Sequence, residues 1–338
     1  MIAEIGLNHG GSPDRALALV DAAARAGASA VKLQTLFADD LIAAACPPPA
    51  HVSCASLREF FRGFELDEAA HRLVVDRARQ HGLAVMATPF SLAAVALLER
   101  LRIDAIKIAS GDLTWDGLIA RAATVGIPLV MSTGMASAHE AAHAVRVARR
   151  AGAAQVALLH CVSAYPIPNG SENLAAIRTL RRRLRVPVGL SDHGHDTFAV
   201  PLAVALGACL YERHLVLQHG DQSIDDAVSS TAEELASAIA AAERARVALG
   251  TGEKVCLPVE KANREPSRRG LYVTRALPAG HVLGPADLVA LRPAHAGAAA
   301  RLPEFLGRAL TRAISAGAPV RDGDVAVPVR GGDQRVVA

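Results

Sequence analysis

Aromatic residues are scarce in this sequence. Phe, Trp and Tyr make up 3% of 338 residues, with a single tryptophan, which argues against an aromatic-rich β-sandwich core. Cysteine is sparse as well. Thiols at 46, 54, 161, 209 and 256 are odd in number, irregularly spaced and without a CxxC. That pattern excludes a disulfide frame and leads to the expectation of reduced, mostly buried thiols. No uncharged apolar run approaches the roughly 18 residues of a membrane span. The opening segment "MIAEIGLNHGG" has neither a basic region nor a cleavable apolar core, so no export signal, no membrane partner and a cytoplasmic location are expected. Charge of one sign is also lacking, the formal net charge being +3. The densest basic run, "RTLRRRLR", has no aromatic platform beside it and reads as a solvated helix face, with no nucleic-acid partner.

What is present is Ala, Val and Leu in a regular arrangement. Eight short apolar runs, "MIAEIG", "AVKLQ", "LAVMATPF", "AIKIAS", "PLVMST", "VALLHCVS", "PVGLSD" and "CLYERH", alternate with amphipathic stretches up to about residue 250. Helix punctuation lies between them: Ser12-Pro13 at a start, Gly27, Gly82, Gly152 and Gly250 at ends, and capping boxes at Ser137/Glu140 and Thr231/Glu234. Fully apolar strands each followed by a helix imply a parallel sheet. Eight such units predict an α/β fold of the (β/α)8 TIM-barrel type over residues 1–250. An open doubly wound sheet is the runner-up, and no GxGxxG follows the first strand to support it. The excursion from Phe37 to Phe64, containing "CPPPAHVSC", is expected to fold over one barrel mouth. Residues 251–266 read as a polar linker. The stretch 267–328 holds a weak repeat, "ALPAGHVLGPADL" against "AISAGAPVRDGDV", which predicts a small pseudo-symmetric β-rich domain before a tail at 329–338.

Barrel strands end in one mouth, where chemistry is built. Every predicted strand carries a polar tip there: Glu4, Asn8 and His9; Lys32 and Gln34; Thr88; Lys107, Ser110 and Asp112; Ser132 and Thr133; His160, Ser163 and Tyr165; Ser191, Asp192 and His193; Glu212 and His214. Lys32 and Lys107 interrupt apolar runs, and a buried lysine needs an anion. Either each bridges a barrel carboxylate such as Glu4, or the two, with the nearby hydroxyls, form a pocket for phosphate and carboxylate. His193 and His214 end neighbouring strands and suit a divalent-metal site with open positions. His160 reads equally well as a satisfied core residue, His195 and His219 as solvated loop residues, and Glu212-Arg213 as a simple ion pair. The candidate acid–base groups are Glu4, Asp112, Asp192, Glu212 and Asp225.

Taken in order, "IAEIGLNHGG", "VKLQT", "TPF", "KIASGD", "STGM", "LHCVSAYPIP", "GLSDH" and "ERH" resemble the N-acetylneuraminate (sialic acid) synthase family, which includes legionaminate and pseudaminate synthases. The tail "RRGLYVTRALPAGHVLGPADLVALRPAHAG" resembles its C-terminal antifreeze-like (SAF, β-clip) domain. The resemblance implies condensation of phosphoenolpyruvate with an open-chain N-acyl hexosamine such as N-acetylmannosamine, with release of phosphate and a transferase-type C–C bond. It implies a divalent metal, Mn2+ first with Mg2+ or Co2+ as alternatives, held by His193 and His214. Lys32, Lys107, Thr88, Ser110, Ser132, Ser163, Tyr165 and Ser191 would hold phosphoenolpyruvate, with Gln34 close by. Glu4, Asp112 and Asp225 would face the sugar and the reacting carbons, Asp112 first and Glu4 second as proton-transfer groups. Arg292 would reach the barrel of a partner subunit, making a domain-swapped homodimer.

Some positions depart from the family pattern. After the eighth strand the chain reads "HGDQSIDDAVSS" where the family has Gly-Pro-Asp; Asp225 matches by distance from His214, with Asp226 the alternative. Gly194 stands where a threonine is usual, and Ser163 where some members carry asparagine. These changes concern the sugar side, so a diacetamido acceptor is the alternative substrate. A metal-dependent aldolase and a non-catalytic sugar-binding component are the remaining rivals.

Overall fold

The computed structural model describes residues 1–47, 54, 56–221, 223–294 and 299–327. It divides into two compact units, Met1–Thr251 and Gly252–Ala338. In the first, strands β1 (Ile2–Gly6), β2 (Ala30–Thr35), β3 (Ala84–Pro89), β4 (Ala105–Ile108), β5 (Leu129–Ser132), β6 (Val156–Cys161), β7 (Val188–Asp192) and β8 (Tyr211–Leu215) pair in sequence order. All pairings are parallel, and β1 also pairs with β8, which closes the expected barrel. A two-residue strand β9 (Ser229–Ser230) adds to β8.

The helices form where the sequence punctuates them. In Pro13–Ala26, the Ser12 hydroxyl accepts from the Arg15 amide, Pro13 occupies the first turn, and Gly27 ends the helix at φ 80°. Ala16, Leu19, Val20 and Ala23 then fall on one buried face. Both capping boxes form as expected. The "RTLRRRLR" arginines lie exposed on and just beyond the helix Ala175–Leu184. Outward-facing strand residues such as Val31, Leu33, Val85, Ile106 and Ile108 pack on these helices in the main core.

Inside the barrel the period-two alternation of strands separates two layers. The floor is apolar: Ile2, Ala30, Met86, Val130 and Leu159 pack together. Gly189 belongs here by necessity, because a Cβ on it would stand 2.3 Å from the Leu210 carbonyl oxygen. One step along each strand the inward positions turn polar.

The second unit has an antiparallel pair, β10 (Gly270–Val273) with β11 (Leu288–Leu291), around a core of residues including Leu277, Leu283, Phe305, Ile314 and Val320. The repeat is real in three dimensions. Leu277 and Ile314 exchange both backbone hydrogen bonds, and the Gly280–Leu310 and Leu283–Arg308 bonds recur as Gly317–Val273 and Val320–Leu271. Residues 251–266, read as a linker, contain a 3-10 turn, Pro258–Glu260, and most of a short helix, Lys261–Ser267. One expectation needs correction. The thiols are not mostly buried: Cys46, Cys209 and Cys256 are exposed, Cys54 is half-buried and Cys161 alone is buried. Most of "PPPAHVSC", part of "LRPAHAG" and the tail at 329–338 lie outside the described residues. Among the described residues, no helix is long and apolar enough to cross a membrane.

Candidate active site

A cavity of about 380 Å3 opens above the polar layer. Alternation along the strands delivers its lining: Glu4 from β1, Lys32 and Gln34 from β2, Thr88 from β3, Lys107 from β4, Ser132 from β5, Ser191 from β7, and Glu212 and His214 from β8. Ser110, Ser163, Tyr165, His193 and Asp225 come from the turns that follow. Gly134 permits this crowding, since a Cβ there would lie 2.2 Å from Ser163 Oγ and 2.7 Å from Ser110 Oγ.

Glu212 is the hub of the buried charges. Lys107 Nζ donates to its Oε1 at 3.0 Å, and Lys32 Nζ lies 3.1 Å from its Oε2 and 3.3 Å from Glu4 Oε2. Ser191 Oγ donates to Glu212 at 2.8 Å and Gln34 Nε2 to Glu4 at 2.9 Å. Burial opposes ionisation of Glu212, yet Lys107 and Lys32 outweigh it and hold the carboxyl well below the usual range. Burial likewise opposes the Lys32 charge, and Glu212 and Glu4 override it, so its pKa is raised. Lys107 has one carboxylate partner and a like charge nearby, and burial leaves its pKa lowered. Both lysines therefore do have carboxylate partners, and two cations face two anions with no net charge left over.

The expected Glu212–Arg213 pair does not form. Adjacent strand residues face opposite ways, so Arg213 points outward to Ser230 Oγ, the Gly194 carbonyl and Asp192. Asp192 also accepts from Tyr211 Oη and the Gly194 amide, and is structural. His160 is buried on the outer side, its Nε2 donating to the Glu172 carbonyl at 2.8 Å. His195 is exposed, while His219 is held between Asp226 and Glu234.

The two strand-end histidines share one region, with ring centroids 5.6 Å apart. His193 Nδ1 donates to the Val162 carbonyl at 3.1 Å, which leaves the lone pair on Nε2. Burial and the neighbouring His214 push its pKa down to about 3, so the ring is neutral at any physiological pH. Tyr165 lies against it at 4.1 Å. His214 Nδ1 is buried without a hydrogen-bond partner, 3.3 Å from Asp225 Oδ2. Gly6, at φ 54°, makes room for it: a Cβ would stand 3.1 Å from that nitrogen. The free Nε2 of His193, the orphaned Nδ1 of His214 and the adjacent Asp225 carboxylate are donors of the kind a divalent cation with open positions takes. Among the described residues, no group of three or more His, Cys, Asp or Glu side chains is gathered closely enough to hold a metal ion, so the protein side chains alone offer an incomplete set.

Asp225 lines the cavity; Asp226 does not, and instead accepts from the Gly220 amide beside His219. Asp112 also lies outside the lining, in the 3-10 turn Ser110–Asp112, where burial raises its carboxyl to about 6. Arg292 is an exposed residue of the second unit, just after β11. Sequence reasoning underrated Glu212, although two steps of alternation back from His214 face it inward. Phe61, Phe90 and Met135 in the lining had no sequence signal beyond their proximity to strand ends.

The polar atoms left over are the most telling feature. Among the described residues, five buried side-chain N or O atoms lack a hydrogen-bond partner, and four of them, on Glu4, Thr88, Ser132 and His214, belong to this cavity. Buried polar groups are ordinarily satisfied, so this concentration marks a place built for a polar ligand.

A family model described as the NeuB family matches residues 19–254, and a SAF domain model matches 268–326. The chain belongs to the NeuB family. Among its relatives is the N,N'-diacetyllegionaminic acid synthase of Campylobacter jejuni, 31% identical over 92% of this chain and 96% of that protein. Among solved structures, the N-acetylneuraminic acid (sialic acid) synthetase of Leptospira borgpetersenii, in complex with citrate, is 32% identical and matches with a TM-score of 0.71, covering 78% of this chain and 88% of that one. The spore coat polysaccharide biosynthesis protein E of Chromobacterium violaceum matches with a TM-score of 0.81 at 28% identity, over 96% and 99% of the two chains. Within this family the chain is an enzyme.

Proposed function

We propose that this NeuB-family enzyme condenses phosphoenolpyruvate with an open-chain N-acyl amino sugar and releases phosphate. The observation that carries the reading is the cluster of buried polar atoms without hydrogen-bond partners, above two buried lysines and beside the paired rings of His193 and His214. Lysine ammonium groups have three donors each, and here each keeps donors beyond those directed at Glu212 and Glu4. Those donors, with Thr88 and Ser132 and the hydroxyls of Ser110, Ser163 and Ser191, suit a phosphate and a carboxylate. Because the four buried charges already cancel, such an anion brings negative charge that calls for a further cation.

His193 and His214 would hold that cation, for which Mn2+ is the first candidate and Mg2+ or Co2+ the alternatives. When bound it supplies Lewis-acid polarisation of the sugar aldehyde. C3 of phosphoenolpyruvate attacks the aldehyde carbon, forming the new C–C bond and leaving positive character at C2. Water adds to C2, and the resulting tetrahedral centre collapses to the ketone as the C–O bond to phosphate breaks. Lys32 and Lys107 hold the phosphate before and after that cleavage, an electrostatic contribution made in a water-poor site. The attacking water gives up both protons, one in net terms to the aldehyde oxygen and one to the departing phosphate. Glu4, which lines the cavity beside Lys32, is the group positioned for this transfer, and Asp225 orients the sugar next to His214. Asp112, expected first in that role, follows the lining residues Ser110 and Gly111 in the same 3-10 turn and is the other candidate. Tyr165 and Gln34 complete the walls.

Metal-dependent phosphate release on mixing phosphoenolpyruvate with N-acyl hexosamines tests the reading; pyruvate formation from a sugar acid without phosphate release would favour an aldolase. Glu4→Gln and Asp112→Asn separate the two proton-transfer candidates. We further propose that Arg292 of the partner subunit completes the site in a domain-swapped homodimer. Mixed dimers of Arg292→Ala and Lys107→Ala chains should then regain activity that neither parent has, and mixtures that stay inactive would reject the swap.

A further inference from the structure

Behind the two strand-end histidines lies a buried charge that the chemistry of the mouth does not use. Arg213 is 1% exposed, the largest side chain buried to that degree among the described residues. It stands one residue before His214 on β8, and alternation turns it away from the cavity that His214 faces. Its Nη1 donates to the Gly194 carbonyl at 2.9 Å and lies 3.4 Å from Asp192 Oδ2. Its Nε donates to Ser230 Oγ on β9 at 2.9 Å. Asp192 and Gly194 are the residues on either side of His193. One guanidinium, rooted beside one imidazole, therefore grips both neighbours of the other.

The grip is braced from the other strand. Asp192 lies opposite Arg213 in the parallel register of β7 and β8, and this is the last pair of that ladder. Its Oδ1 accepts the Gly194 amide at 2.9 Å and its Oδ2 the Tyr211 hydroxyl. Past that pair the chain turns at His193, and among the described residues the Arg213–Gly194 bond is what ties the turn to β8. The Val162 carbonyl sets the rotation of the His193 ring through Nδ1, while the spacing of the two strand ends is set from behind.

Stability alone does not account for this arrangement. Taking a guanidinium and a carboxylate out of water is costly, and packed apolar residues of the same volume often serve a fold as well or better. An apolar pair cannot fix direction, whereas arginine offers a planar fork of donors. Two imidazoles from different strands share one cation only when their separation and tilt are closely held. Here the ring centroids are 5.6 Å apart and the planes meet at 46°.

We propose that Arg213 is a positioning residue of the divalent-cation site. Acting through Asp192 and Gly194, it fixes His193 against His214, so that a guanidinium outside the mouth sets how tightly the cation is held within it. The inference rests on the reading of those two histidines as the holders of the cation.

The test is Mn2+ titration of the metal-stripped enzyme with phosphoenolpyruvate present, free Mn2+ being followed by electron paramagnetic resonance. Arg213→Met should weaken Mn2+ binding by about 10–100-fold. Arg213→Lys keeps the charge beside Asp192 but loses the fork, and should give an intermediate loss. At saturating Mn2+ both variants should recover most of kcat, with KM for phosphoenolpyruvate within about threefold of wild type. Arg213→Met leaves Asp192 without its cation and should melt earlier. If it does not fold, Arg213→Met combined with Asp192→Asn removes the unpaired charge and carries the same expectation. A merely structural arginine would lower the melting temperature alone, so Mn2+ affinity within about threefold of wild type in a folded variant overturns the proposal and leaves the reading of the mouth standing. Wild type that binds no Mn2+, or binds it only as well as His193→Ala does, removes the histidine reading and this inference with it.

Discussion

The two units bury polar groups on opposite terms. In the second unit, Asp287 accepts from Arg275, His281 and the Gly284 amide, and Asp324 accepts from Arg312 and the Arg321 amide. Both carboxylates are buried, each oxygen has a donor, and both sit at matching places of the repeat. In the barrel mouth, Thr88 and Ser132 each bury a hydroxyl without a hydrogen-bond partner, and Glu4 Oε2 and His214 Nδ1 have only a charged neighbour, Lys32 and Asp225. A satisfied buried charge fixes a turn; a polar atom left without a hydrogen bond keeps a place for something that arrives later. The contrast separates structural polarity from functional polarity without reference to any relative.

The largest gap between the units should come from Lys107→Met. It removes a charge from the mouth and leaves Glu212 to Lys32 alone, and phosphate release should fall by about 10²–10³-fold. If turnover holds, the buried lysines are only structural. Acid should separate the units next. His193 and His9 are held neutral, at about 3 and about 4, so below the ordinary histidine range near 6.5 the unfolded barrel takes up protons that the folded one refuses. The barrel should lose stability as pH falls from about 6.5 towards 4. Asp287 is favoured as its anion, at about 2, chiefly by the His281 hydrogen bond; its contribution stays in full above the ordinary carboxyl range near 4 and is lost only as pH falls towards 2. Calorimetry or hydrogen exchange at pH 7, 5 and 4 would detect the difference, and identical decline in both units would contradict it.

Smaller effects sharpen the same contrast. Asp324→Ala should destabilise the second unit by about 1–3 kcal/mol, since Arg312 and the Arg321 amide lose their acceptor. Ser132→Ala should do the reverse in the barrel: melting unchanged or slightly higher, because an unpartnered hydroxyl leaves, with KM for phosphoenolpyruvate up by about tenfold. A melting temperature several degrees lower would mean that Ser132 has a structural bond after all.

Most of the barrel was legible because its rule is local. In "AVKLQ" the polar residues are the ones alternation faces into the mouth, and the same period places His214 at the end of "CLYERH", so Lys32, Gln34 and His214 could be placed from their own strands. Glu212 obeys the same rule and was misjudged only because its neighbour Arg213 offered a ready partner in sequence. Asp112 was not legible: a 3-10 turn has no period to say which way a side chain points. His9 could be named as polar, but its bond from the Gly11 amide is made within the turn after the first strand, where no period reports it. The exposed thiols escaped for the same reason, since Cys209 and Cys256 sit where apolar runs meet turns.

The reciprocal bonding of Leu277 with Ile314 carries a consequence for how the small unit could be taken apart. Each half has its own arginine–aspartate clasp and shows its mate the same backbone edge that its mate shows it. A severed half would find the complement it had lost in a second copy of itself, because the edge each half offers is the edge it needs.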